Sequence, residues 1–230
     1  MHLLKFHVKH LVFLLVLLCP LVSIAQHFTT STIEAKPFPP MPSKVQDIEN
    51  GLKTSANFSE LSAEEKEWFY WTNYSRMRPK AFWDSVVVPI LKTYPNLVSS
   101  YTASLKSDLY KTPSLTLIVP QKKLLELARG HANDLARKKA PPSHSSTNGN
   151  SFQERMLKAG VIRCAGENLS FGPANAVLAL VFLYIDERLP DLGHRKSLLT
   201  PTYTQMGIGI STYPDNQVMV IQDFGCDQTP

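Results

Sequence analysis

Residues 174–187, ANAVLALVFLYIDE, constrain this chain more than any other stretch. From Ala176 to Ile185 every position is apolar, so the helix this run predicts has no polar face to turn toward water and must be buried nearly all round. It is also too short to cross a bilayer, which takes about 20 apolar residues. The run then delivers two carboxylates, Asp186 and Glu187, to its C-terminal end, breaks at Pro190, and restarts after Gly193 with His194. Acids at one helix end and a histidine at the start of the next turn read either as loop polarity or as a site.

The remaining elements are shorter but legible. Ser62-Ala63-Glu64-Glu65 is a capping box, and the Trp68, Phe69, Trp71 and Tyr74 stripe behind it reads as core. Pro79 opens a second helical segment, whereas residues 95–119 are rich in Ser and Thr and less regular. In residues 121–139 the apolar positions Leu124, Leu125, Leu127, Ala128, Ala132, Leu135 and Ala136 make one broad helical face. Residues 140–151 are loop by composition, and 152–160 a short helix closed by Gly160. Residues 161–172 read as a strand, as do 205–212 and 217–224, the last two joined by the turn Tyr213-Pro214-Asp215-Asn216. Gly207 and Gly209 alternate with Ile208 and Ile210, which suits close packing on that strand. Strands following helices predict a mixed α/β layer architecture.

Upstream, Lys5 and Lys9 precede the apolar run Leu11–Leu18 and the small residues Ser23 and Ala25, the pattern of a secretory signal peptide over residues 1–25 cut before Gln26. Cys19 raises a lipoprotein reading, ranked second because Leu18 is bulky for a lipidation site. Residues 26–60 carry AKPFPPMPSK and read as a proline-rich spacer, leaving residues 61–226 as the folded domain. The formal charge is +5, two of whose lysines leave with the leader, and no basic face interleaved with aromatics suggests a nucleic-acid partner. No segment after the leader is apolar enough to span a bilayer. The mature chain would keep two cysteines, Cys164 and Cys226, expected as a disulfide in an oxidising compartment. A free thiol at Cys164 stays open as the alternative.

Four polar positions sit at the edges of apolar segments: His144, Glu167, Glu187 and His194. Two imidazoles and two carboxylates are a plausible donor set for Zn2+ or another divalent cation. Taken one by one they are ordinary surface residues, and there is no HExxH, no CxxC pair, no GxSxG elbow and no phosphate loop. His131 reads as a satisfied helix-face histidine, Arg155 and Asp134 as partners that fix the loop carrying His144, and Asn168 as a residue pinning Glu167.

The order of HANDLA, SHSSTNGNSFQERMLKAG, AGENLSFG, LYIDERLPDLGHRKSLLTPTYTQMGIGI and VIQDFG resembles the CAP superfamily, which includes cysteine-rich secretory proteins, antigen 5 and plant pathogenesis-related proteins. The likeness is closer to the bacterial secreted, SCP-like branch and covers roughly residues 61–226. It implies a three-layer α/β/α sandwich with a small central antiparallel sheet and a shallow cavity. It also implies a two-histidine, two-acid tetrad of His144, Glu167, Glu187 and His194. Tyr184 stands where the family usually has tryptophan, Arg195 follows the last histidine, and Asp186 competes with Glu187 as the second acid.

Three functions follow. The favoured one is a secreted binding module for an apolar small molecule, lipid or sterol-like, or for an extracellular protein, placed outside the cell or in the periplasm. A metal-assisted hydrolase would hold zinc on the histidines and use Glu167 as general base. An envelope-associated structural protein would use the quartet only to stabilise loops.

Overall fold

The computed structural model describes residues 29–30, 36–172 and 174–227; the expected leader, residues 1–25, lies outside them. The described residues form one sheet of five strands in the order β1-β3-β5-β4-β2. The strands are β1 (Thr29–Thr30), β2 (Val119–Pro120), β3 (Ala165–Gly172), β4 (Gln205–Thr212) and β5 (Val218–Gly225). β3, β5 and β4 pair antiparallel, and the two-residue strands β1 and β2 flank them in parallel. The antiparallel centre is the expected one, and helices cover both faces.

One face carries α6 (Lys122–Arg137). Side chains alternate along a strand, so Gly207, Gly209 and Ser211 of β4 meet this helix while Met206, Ile208 and Ile210 point away. The two glycines let the α6 backbone lie directly on β4, with Leu124 over Gly207 and Ala128 over Gly209. Ala128, Ala132 and Leu135 then pack on Leu169, Met219 and Ile221.

The other face carries the larger core. Here α8 (Ala176–Ile185) is buried from Val177 to Ile185. It is enclosed by α2 (Ala63–Met77), α5 (Ser100–Lys111), α9 (Gly193–Leu199) and the sheet. The capping box of α2 forms with both of its bonds. Asn73 of α2 donates to Ile118 O and accepts from Ile118 N, each within 2.9 Å, tying that helix to β2. α3 (Pro79–Phe82) runs through a π-helical turn at Trp83–Val87 into α4 (Val88–Thr93). Pro89, lacking an N–H, cannot donate to the carbonyl four residues back, and the wider turn absorbs that gap.

Two expectations need correction. The segment 26–60 is not spacer throughout. Residues 36–45 are extended, as their prolines dictate, but Val45 N donates to Tyr70 Oη at 2.7 Å, and α1 (Gln46–Lys53) buries Ile48 and Leu52 against α2. Residues 95–119 are not irregular either, because α5 occupies their middle. Ser99 and Thr102 form its capping box, and Leu105 and Leu109 supply its buried stripe.

Candidate functional site

β3 and the helix ends around it gather the predicted polar residues into two separate pairs. Cys164 and Cys226 form a disulfide, Cα–Cα 5.5 Å, that ties the start of β3 to the end of β5. Three residues into β3 from that clamp, Glu167 faces the α6 side and is fully buried there. His144 Nδ1–H donates to Glu167 Oε1 at 2.8 Å, and Arg155 Nη2 donates to Oε2. Arg155 comes from α7 (Phe152–Lys158) and also donates through Nη1 to His144 O at 2.8 Å, so a single guanidinium holds both the acid and the loop. Asp134 of α6 fixes the same loop by accepting from Thr147 N at 2.7 Å and Thr147 Oγ1 at 2.6 Å. The His144 side chain keeps 31% of its surface exposed, whereas Glu167 behind it keeps 1%. Glu167 therefore orients His144 and does not itself face solvent.

His131, one α6 turn from Asp134, is buried. Its Nε2–H donates to Ser143 O at 2.9 Å, which leaves Nδ1 as the acceptor nitrogen, 3.5 Å from Ser146 Oγ. Burial lowers its pKa, so the ring stays neutral beside Arg155.

The residue that sequence reasoning missed is Asp223. It stands directly opposite Glu167 in the β3–β5 ladder, with Gly207 on its other side. It is wholly buried, and as a carboxylate it would have no hydrogen-bond partner on either oxygen. Burial, and next the charge of Glu167, push its pKa well above the usual carboxylate range. For Glu167 burial also opposes ionisation, but the His144 hydrogen bond and the Arg155 charge outweigh it and hold the acid below its ordinary value. Of the two acids, Asp223 therefore holds a proton more readily than Glu167 does. The signal was present in β5: its alternate positions Met219, Ile221 and Asp223 share one inward face, and an acid there needs a reason.

Asp223 gives a pH prediction. With its folded pKa raised, its contribution to stability is fully present below the unfolded value of about 3.9 and lost as pH rises through the folded value. Asp223→Asn keeps a donor for Glu167 and removes that loss. The variant should melt above the parent at pH 7 and equal it at pH 4, as read by thermal unfolding monitored by circular dichroism. An equal or lower melting temperature at pH 7 would show that Asp223 is ionised and otherwise compensated.

The second pair lies in the other layer. His194 does return to the end of α8, as the break after Pro190 predicts, but the acid it meets is Asp186. His194 Nδ1–H donates to Asp186 Oδ1 at 2.5 Å, and Arg195 N donates to Oδ2 at 3.0 Å. Asp186 caps α8 in the left-handed region, φ 54°, which turns its side chain inward under α9. Glu187 continues outward and accepts from Ser99 Oγ at 2.6 Å on the surface. Asn168 does not pin Glu167. As the next residue of β3 it points to the opposite face, where Nδ2 donates to His194 O at 3.3 Å and Gln222 Oε1 at 3.4 Å.

The fit of a zinc ion can be judged on these donors. Glu167 spends its oxygens on His144 and Arg155, Asp186 spends its own on His194 and Arg195, and the two pairs belong to opposite faces of β3. Among the described residues no three His, Cys, Asp or Glu groups are disposed to hold a metal ion. In this arrangement the quartet does not fit a shared ion.

A different feature lies at the far end of the sheet. A groove of about 610 Å³ opens between the first turns of α2, the middle of α6 and the ends of β4 and β5, floored by Trp68, Ile210 and Val218. Val218 pairs with Gly172, five positions along β3 from Glu167, or roughly 17 Å at about 3.3 Å per residue. None of the predicted quartet lines it.

Comparison with known proteins places the domain. Residues 113–224 match the sequence profile of the Cysteine-rich secretory protein family, CAP. Among solved structures, an extracellular protein containing an SCP domain from Bacillus anthracis is similar at 24% identity over 49% of this chain and 35% of that one, with a TM-score of 0.39. An outer surface protein from Borrelia burgdorferi is similar at 19% identity over 55% of this chain and 89% of that one, TM-score 0.41. A cysteine-rich secretory protein from Staphylococcus aureus is similar at 20% identity over 56% and 38%, TM-score 0.33. The chain thus spans about a third of the length of the Bacillus anthracis protein. No curated protein matches it. The stretch that matches this profile takes in α6, β3, α8 and both the Gly166-Glu167-Asn168 and Gly193-His194-Arg195 segments, and it is by that profile that residues 113–224 are similar to a CAP domain.

Proposed function

We propose that the chain is a secreted binding module that captures an apolar ligand outside the cell or in the periplasm, rather than a hydrolase. The groove floored by Trp68, Ile210 and Val218 carries this reading. Its volume falls in the range of about 300–1,000 Å³ typical of small-molecule sites, and among the described residues no histidine or cysteine lines it. The polar cluster, by contrast, spends its carboxylates on its own hydrogen-bond donors. No helix among the described residues is long and apolar enough to cross a membrane. Titration with a fluorescent fatty alcohol should give saturable one-to-one binding without turnover. Absence of saturable binding would sink the reading in favour of a structural role in the envelope.

Zinc supplies the second test. Calorimetric titration of the chain lacking residues 1–25, beside His144→Ala/His194→Ala, should show no one-site binding that the double substitution removes. If such binding appeared, the two pairs would have to open and converge. The better reading would then be a metal-assisted hydrolase with Glu167 as general base, whose turnover chelators and Glu167→Gln should both abolish.

A further inference from the structure

The rim of the groove has a sign. The first turns of α2 place Glu64, Glu65 and Glu67 along one edge, and among the described residues the only cation lining the groove is Arg129 of α6. That arginine is already committed. Its Nε donates to Glu65 Oε1 at 2.7 Å, and its Nη2 to Glu65 Oε2 at 2.6 Å and Glu60 O at 3.1 Å. The bidentate bridge neutralises both partners and fixes the groove wall. Glu67 accepts from Trp71 Nε1 at 3.1 Å and is paired from outside the groove by Lys44, which stacks over Tyr70. Glu64 has no cationic partner among the described residues. It accepts from Ser62 Oγ at 2.9 Å, and its hydrogen bonds, first that to the backbone, hold its carboxyl below the usual range. An apolar floor therefore lies under a rim whose net charge is negative and whose one arginine has its charge paired by Glu65 through Nε and Nη2.

We infer that the groove takes an amphiphile with one apolar chain and a cationic head, an amine or quaternary ammonium, and discriminates against fatty-acid anions. This rests on the binding-module reading and adds the head-group class to it. The chain would cover Trp68, Ile210 and Val218, and the ammonium would sit at Glu64. A carboxylate head in the same pose would meet Glu64 and Glu67 instead, and the charge of Arg129 is already paired with Glu65. Attraction of one sign and repulsion of the other each contribute a few-fold in affinity at an exposed rim.

The test uses the intact chain at low salt, with tryptophan fluorescence reading titrations of dodecyltrimethylammonium, dodecanol and dodecanoate below their micelle concentrations. Circular dichroism confirms that the fold persists. The expected result is saturable binding of all chains, with the cation about tenfold tighter than the anion and the gap narrowing as salt rises. Glu64→Gln should shrink that gap without weakening dodecanol. Thr212→Phe, an exposed β4 position lining the groove, should fill it and remove binding of every chain. Dodecanoate binding as tightly as the cation, or a gap indifferent to Glu64→Gln, would overturn the head-group assignment while leaving the apolar site standing. Failure of every chain to bind, or binding indifferent to Thr212→Phe, would overturn both.

Discussion

Gly207→Ala is expected to cost about 3 kcal/mol or more of stability and to lower the melting temperature by about 6–12 °C. A Cβ on Gly207 would stand 2.0 Å from the carbonyl carbon and oxygen of Leu124, and these are backbone atoms that no rotamer change can move. The whole of α6 would have to lift from β4, loosening Ala128, Ala132 and Leu135 from Leu169, Met219 and Ile221. Gly209 meets the same obstacle at Ala128 O, 2.1 Å away. Gly130 on the same helix is the control: nothing lies within 4 Å of its would-be Cβ, so Gly130→Ala should be neutral or gain up to about 1 kcal/mol from helix propensity. If the two alanine variants unfolded alike, the close approach of α6 to β4 would be wrong. Because Glu167 and Asp223 lie on this same face, lifting α6 should also release His131 and the His144 loop.

How much of this was legible depended on whether burial was one-sided, two-sided or merely local. α8 could be read from its own residues because an element buried all round needs no partner to betray it. α6, β4 and β5 were readable through periodicity, and Gly207 and Gly209 through the apolar residues alternating with them. α1 was hidden because only Ile48 and Leu52 of its eight residues are buried, and the prolines upstream dominated the composition. α5 was hidden for a related reason. Serine and threonine favour loops until one sees that Ser99 and Thr102 cap a helix whose stripe is Leu105 and Leu109. Both helices owe their stability to docking on neighbours, which a local pattern does not record.

The pairings of the candidate residues were not legible in the sequence. Sequence order pointed to His144, Glu167 and His194, but which acid meets which histidine depends on backbone angles. Asp186 outcompetes Glu187 because a left-handed residue closes α8 there, and no propensity scale would place an aspartate in that conformation against a glycine. Asn168 was assigned to the wrong partner because consecutive strand residues face opposite layers. Asp223 was passed over because a single acid in a strand reads as an exposed position until both faces of the sheet prove covered. Arg76 shows the same limit: buried in α2, it donates to Leu198 O, Thr200 O and Tyr203 O, carbonyls more than 120 residues away.

Arg195→Ala should cost about 4 kcal/mol and Arg195→Lys nearly as much. The buried guanidinium donates to Tyr184 O at 2.7 Å, Ile185 O at 2.9 Å, Tyr101 O at 3.0 Å, Ser104 Oγ at 2.9 Å and Asp108 Oδ2 at 3.0 Å. One side chain thus satisfies the C-terminal carbonyls of α8 and joins them to the first turns of α5. Removing it orphans two backbone carbonyls, Tyr184 O and Ile185 O, each worth about 1–3 kcal/mol when left unpaired, whereas Tyr101 O keeps the Ser104 hydroxyl at 2.8 Å. A lysine offers three donors at a single point and cannot span a fork this wide. The connection it guards is strained: Asp186, Arg188 and Leu192 all have φ between 52° and 63°, although none is glycine. Such conformations persist where their surroundings over-determine them, and here Arg195 and the Asp186–His194 pair supply that constraint. Urea unfolding should show the loss as a lower midpoint at unchanged slope. His194→Ala leaves the Arg195 fork and its backbone bond to Asp186 in place, and should cost less than half as much. Equal costs for the two substitutions would mean that the Asp186–His194 pair, and not the arginine, holds the turn. A tolerated Arg195→Lys would mean that the fork geometry is unnecessary and that one ammonium charge near Asp108 suffices.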